Sequence, residues 1–164
     1  MKVSKEQLTK TVKVVDEKLK GETYALRGTA SLVLQGIDMN IDDIDVLCDA
    51  KTAISANSKL SEYLIEEVVF KESPKFISYF GKFLIDGVNV EIMGDWQIFN
   101  DKKGWSRIFN ADNNITRVRL DGLEIPVTKI EVELEMFALM GRWLAYQKIK
   151  RQIGTETPNQ QKLF

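Results

Sequence analysis

Residues 24–48 constrain this chain more than any other stretch. They run Tyr24-Ala25-Leu26-Arg27-Gly28-Thr29-Ala30-Ser31-Leu32-Val33-Leu34-Gln35-Gly36-Ile37, then Asn40-Ile41-Asp42-Asp43-Ile44-Asp45-Val46-Leu47-Cys48. A short apolar run stops at Gly28. A helix start of small residues follows, and an apolar run with carboxylates at alternate positions closes the stretch. On a strand, residues i and i+2 point to one face, so Asp43 and Asp45 project together while Ile44 and Val46 project the other way. Two like charges side by side repel and do nothing for stability alone. A divalent cation relieves that repulsion, and oxygen-only ligands suit magnesium or manganese. The same pattern also fits a solvated strand end, with Asp42-Asp43 in a turn.

The absence of histidine narrows the chemistry further. It excludes histidine general acid–base catalysis, Ser-His-Asp triads and the usual His/Cys zinc sites. Carboxylates, Lys and Arg, hydroxyls, backbone amides and metal remain. Cys48 is the only cysteine, so no intrachain disulfide forms, and a reducing, cytoplasmic location is expected. The formal net charge of −1 gives no global attraction to nucleic acid or an acidic membrane. No apolar run is long enough to span a bilayer, and Met1-Lys2-Val3-Ser4 opens no signal peptide. At 164 residues the chain suits one domain, expected over 1–153, with a flexible polar tail over 154–164.

In chain order, Ser4-Lys5-Glu6-Gln7 is a capping box with Val3 and Leu8 as its staple, and Leu8, Val12, Val15 and Leu19 recur at helical spacing. A helix is expected over 4–20. Residues 24–27 read as a strand and 29–35 as a helix, so the Gly28 turn points backbone N–H groups at whatever lies above it. Gly-Thr at that position also serves as a plain cap. A strand over 42–48 and a helix over 49–64, with Ile54, Leu60 and Leu64 inward, follow. Strands over 65–71 and 76–84 come next, then Asp86-Gly87, a hairpin signal. In Val88-Asn89-Val90-Glu91-Ile92-Met93 the apolar residues share one face, and Asn89 and Glu91 the other. If this strand neighbours 42–48 with apolar faces aligned to one core, Glu91 joins Asp43 and Asp45.

Residues 94–114 carry mixed signals and read as a loop or short helix over an edge of the core. Their aromatics read as packing, with an aromatic pocket for a base as the other reading. Asp121-Gly122 signals a second hairpin between strands 115–120 and 123–127. Thr128-Lys129-Ile130-Glu131 reads as a second capping box before a helix over 129–152. That helix buries Leu134, Phe137, Met140 or Leu144, and Trp143. The implied fold is α/β, or α+β in stricter terms. It is a mixed, partly antiparallel sheet of about five or more strands with helices mainly on one face.

Three carboxylates on adjacent strands can hold two divalent ions about 3.5–4 Å apart. Here the residues resemble a family. An apolar residue, Gly, a small residue, a spacer and Asp-apolar-Asp-apolar mark the DNA polymerase β-like nucleotidyltransferase superfamily. The pattern stands as Leu26-Arg27-Gly28-Thr29, then Asp43-Ile44-Asp45-Val46, with Val90-Glu91-Ile92 as the later acid. The Gly28-Thr29-Ala30-Ser31-Leu32 helix start looks like the small stand-alone and abortive-infection-type members. The likeness covers roughly 24–94. Thr29 departs from the family's Gly or Ser, Glu91 from its frequent Asp, and no separate acceptor-binding domain is visible.

The resemblance implies transfer of a nucleoside monophosphate from an NTP to a hydroxyl on a small molecule, RNA or protein. Asp43, Asp45 and Glu91 would be the catalytic, metal-binding acids for Mg2+ or Mn2+. Gly28, Thr29 and Ser31 would hold phosphates, and Arg27, Lys82 and Arg142 are candidate charge clamps that also fit as plain surface charges. The alternative is a non-catalytic or antitoxin-type regulatory module of the same fold, acting through a partner protein or as a homodimer.

Overall fold

A computed structural model describes residues 2–154. The expected loose tail therefore lies outside the described residues from 155 onward. Gly154 closes the last helix.

The chain opens on α1 (Lys5–Lys18), whose capping box forms as expected, with Ser4 and Gln7 exchanging side-chain and backbone hydrogen bonds of 3.1 Å. It buries Leu8, Val12 and Val15. Then come β1 (Tyr24–Arg27), α2 (Gly28–Leu34), β2 (Ile44–Cys48), α3 (Ala50–Lys59), β3 (Leu64–Glu72), β4 (Phe76–Ile85) and β5 (Val88–Asn100). β6 (Gly104–Trp105), β7 (Ile115–Leu120), β8 (Leu123–Thr128), α4 (Ile130–Leu139) and α5 (Trp143–Gly154) complete it. No helix among the described residues is long and apolar enough to cross a membrane.

The strands form one mixed sheet in the order β3-β4-β5-β2-β1-β8-β7, with β6 paired to β5. β2–β5 and β1–β8 pair in parallel, and the other pairs are antiparallel. Both hairpin signals produce tight turns. Asp86 and Gly87 have φ of 52° and 76°, and Asp121 and Gly122 have 48° and 81°, the left-handed pair that a type I′ turn requires. One face of the sheet buries Leu26, Ile44, Val46, Val90 and Ile92 against α1 and α3. On the other, Leu47 and Met93 pack with Trp96, Phe109 and α4 residues Val132 and Met136.

Three sequence expectations are corrected. First, 94–114 is largely strand. β5 runs on to Asn100, β6 pairs back on it, and Trp96 bridges Phe109. The alternation is masked by an irregularity: the β4–β5 register shifts between Ile77 and Tyr79, and Asp95 sits at φ 50°. One extra residue therefore puts Met93 and Trp96 in the same cluster. Second, α3 stops at Lys59, a 3-10 turn fills Ser61–Tyr63, and Ile54 is exposed while Thr52, Ala53 and Ala56 face inward. Here α3 lies against Gly94, where an added Cβ would come within 2.7 Å of both Ala53 Cβ and Asp49 O. So close an approach admits only small side chains, and the bulky ones turn outward.

Third, the last helix breaks in two. Gly141 takes φ 71°, and Arg142 N–H donates to Phe137 O at 2.9 Å, the pattern of a glycine C-cap. Trp143 and Leu144 swing out, leaving Leu144 91% exposed. The second capping box does not form either. Lys129 is the N-cap of α4 and has no side-chain cap, while Thr128 is the last residue of β8.

Candidate active site

Parallel pairing of β2 with β5 sets Asp45 directly beside Glu91. Antiparallel pairing of β1 with β2 sets Arg27 beside Asp45 on its other side. Paired residues project to the same face, and Asp43 shares that face two residues earlier. Asp43, Asp45, Glu91, Arg27 and Arg142 all line one cleft of about 560 Å³. Phe76, Phe80, Trp96 and Met140 form its apolar walls. The sequence-predicted acids are thus together, and the aromatics of 94–114 serve both packing and the cleft.

The acids are electrostatically strained. Burial raises the proton affinity of Glu91 above the ordinary carboxylate range. The charges of Asp45 and Asp43 add to this, while Lys82, its register partner on β4, opposes. Burial likewise raises Asp45, with Glu133 and Asp43 reinforcing and Arg27 opposing. Asn89 stands between Asp43 and Glu91, donating long hydrogen bonds of 3.5 and 3.4 Å to them. Among the described residues no three acid, His or Cys side chains close around a single ion position. The donor chemistry nonetheless fits a hard divalent ion: clustered carboxylate oxygens whose repulsion is only partly offset. Closing on one requires the carboxylates to rotate and Asn89 to yield.

The glycine turn is arranged differently from a free anion cradle. Gly28 has φ 69°, and its N–H donates to Glu133 Oε2 at 3.0 Å. Ser31 is fully buried, and its hydroxyl donates to Thr128 O at 2.7 Å. Ser31 is thus not brought to the cleft, whereas Thr29 keeps a partly exposed side chain. Arg27 is 7% exposed, with Nη1 3.4 Å from Asp45 Oδ2, Nη2 3.6 Å from Glu133 Oε1, and its guanidinium 4.5 Å over the Trp96 ring. It is a buried bridge between two acids.

Glu133 is the residue that sequence reasoning missed. It is wholly buried, takes the Gly28 N–H and the Thr128 hydroxyl, and faces Arg27. A signal existed: Glu133 stands three and four residues before buried Met136 and Phe137, on the apolar stripe of α4. A carboxylate there demands partners.

Gly28→Ala is expected to lower stability by about 1–3 kcal/mol, since φ 69° is a left-handed conformation costly for any Cβ-bearing residue. The added Cβ would also stand 3.0 Å from Asp45 Oδ2 and displace that carboxylate. Denaturant unfolding measures the first effect, and wild-type stability would refute it.

No profile of a known protein family matches the chain, and no curated protein does. Two solved structures do. A candidate nucleotidyltransferase from Thermotoga maritima superposes with a TM-score of 0.71 at 25% identity, over 88% of this chain and 93% of that one. The lincosamide antibiotic adenylyltransferase LnuA, in its lincomycin-bound form, gives 0.58 at 19% identity, over 92% and 98%. Neither is named as an abortive-infection protein. Sheet, helix order and near-complete coverage agree in both cases: the chain adopts the DNA polymerase β-like nucleotidyltransferase fold.

Proposed function

We propose that this protein transfers a nucleoside monophosphate from an NTP to an acceptor hydroxyl at the cleft of Asp43, Asp45 and Glu91. The observation that carries the reading is the register placing Asp45 beside Glu91, with Asp43 on the same face of the same cleft. The names of the two fold neighbours support nucleotidyl transfer as the general class. LnuA, named for a small-molecule acceptor, favours a small molecule here over RNA or protein.

Asp43 and Asp45 would hold two magnesium or manganese ions, and Glu91 the one on the nucleophile side. Such ions activate the attacking hydroxyl and neutralise charge on the phosphates and the leaving pyrophosphate. The acceptor oxygen forms a bond to the α-phosphorus as the α–β bridging bond breaks. Glu91, whose proton affinity is raised, is suited to take the hydroxyl proton. Arg27 and Glu133 fix Asp45 from behind, while Lys82 tempers the negative field at Glu91. Arg142, on the cleft wall, is placed to offset charge on the nucleotide.

Magnesium and NTP together are expected to raise the melting temperature by several degrees, more than either alone, because ligands that bind only the folded state stabilise it. Differential scanning fluorimetry at millimolar ligand reads this directly. No joint shift would contradict the reading and leave a non-catalytic binding module.

A further inference from the structure

A nucleotide needs a seat for its phosphates, and the Gly28 turn spends its donors internally: Gly28 N–H on Glu133 and the Ser31 hydroxyl on Thr128. The β3–β4 wall of the cleft is different. Ser78 is 5% exposed, lines the cleft, and makes no hydrogen bond to another described residue. Lys71 is its register partner across β3–β4, so the two emerge side by side. The Lys71 ammonium lies 5.1 Å over the Phe80 ring and otherwise pairs with Glu66, an ion pair with both side chains about two-fifths exposed. A pair so exposed is weak and readily exchanged. Arg142 reaches the same cleft from the α4–α5 turn, with no ion pair or hydrogen bond from its side chain among the described residues.

We infer that Lys71, Ser78 and Arg142 form the seat of the nucleotide's triphosphate tail, which crosses β4 from the carboxylates toward β3. This rests on the nucleotidyl-transfer reading and names the phosphate site within it. The cleft then has an acid end at β2–β5 and a donor end at β3–β4. Phosphate oxygens satisfy a buried hydroxyl that otherwise has no partner, and they accept charge-assisted hydrogen bonds from both cations. Glu72 lines the same wall, so the seat suits a magnesium-complexed tail rather than a free polyanion.

The test is calorimetric titration with magnesium tripolyphosphate, with Mg-ATP and AMP as comparisons. Wild type binds tripolyphosphate and ATP. Lys71→Ala and Ser78→Ala each weaken both about tenfold or more, as loss of a charge-assisted hydrogen bond predicts, and leave AMP binding unchanged. Ser78→Ala removes no hydrogen bond within the described protein, so it folds as wild type. Glu66→Gln frees Lys71 and tightens tripolyphosphate binding, which a merely structural role for Lys71 would not produce. If both alanine variants bind tripolyphosphate as wild type does, while ATP still binds, the seat lies elsewhere and the transfer reading survives. If folded wild type binds neither ATP nor tripolyphosphate, both fall.

Discussion

Asp45→Asn is expected to abolish nucleotidyl transfer while leaving the fold intact. The substitution keeps shape and hydrogen-bonding capacity but removes a full charge from the middle of the carboxylate row, between Arg27 and Glu91. Loss of a central ligand to both ions should cost a hundredfold or more, on the order of the largest single electrostatic contributions to catalysis. The metal-free protein should move the other way. Burial and neighbouring acids raise the proton affinities of Asp45 and Glu91, so their stabilising protonated forms are fully present below about pH 4 and lost as pH rises through the raised folded values. Asp45→Asn removes one of these penalties. Without metal the variant should therefore match or exceed wild type in stability at neutral pH and fall less steeply as pH rises. Added magnesium reverses the order, because wild type gains stability and the variant gains little. Equal responses to magnesium, or full transfer by the variant, would remove Asp45 from the site.

The second large effect is expected at Glu133. Glu133→Leu strands the buried Arg27 with only Asp45 at 3.4 Å and leaves the Gly28 N–H without its acceptor. Removing one partner of a buried ion pair costs about 3–5 kcal/mol. Because Arg27 supplies the stranded charge, Arg27→Met combined with Glu133→Leu should lose less than Glu133→Leu alone. Denaturant unfolding of the three variants measures this. A Glu133→Leu protein within about 0.5 kcal/mol of wild type would show that the network is incidental.

The carboxylate row was legible because strand parity is local. Two carboxylates flanking Ile44, and Glu91 flanked by Val90 and Ile92, fix their face as soon as the apolar side is known. The capping box at Ser4 and the two Asp-Gly hairpins were legible for the same reason. What stayed hidden depends on partners distant in sequence. Glu133 meets Gly28 across 105 positions and takes its meaning only from that contact. The continuation of β5 past Gly94 is hidden by a register shift, and the inward face of α3 is set by how closely Gly94 lets it approach. The break at Gly141 was visible as a glycine, but a helix that buries Phe137 and a helix that exposes Leu144 share one periodicity until the C-cap turns the chain. The phosphate donors moved for a related reason: a helix-start glycine marks an anion position, and here a buried carboxylate of the same chain fills it.

The most direct measurement uses one NTP labelled at either the α- or the γ-phosphate, incubated with purified protein, magnesium and a cell extract as the source of acceptor. Nucleotidyl transfer at the Asp43, Asp45 and Glu91 cleft moves the α-label into a new product and leaves the γ-label in pyrophosphate. Asp45→Asn then forms no product. An α-label that stays in nucleotide for every NTP tried, or a γ-label that appears in the product, would contradict the assignment.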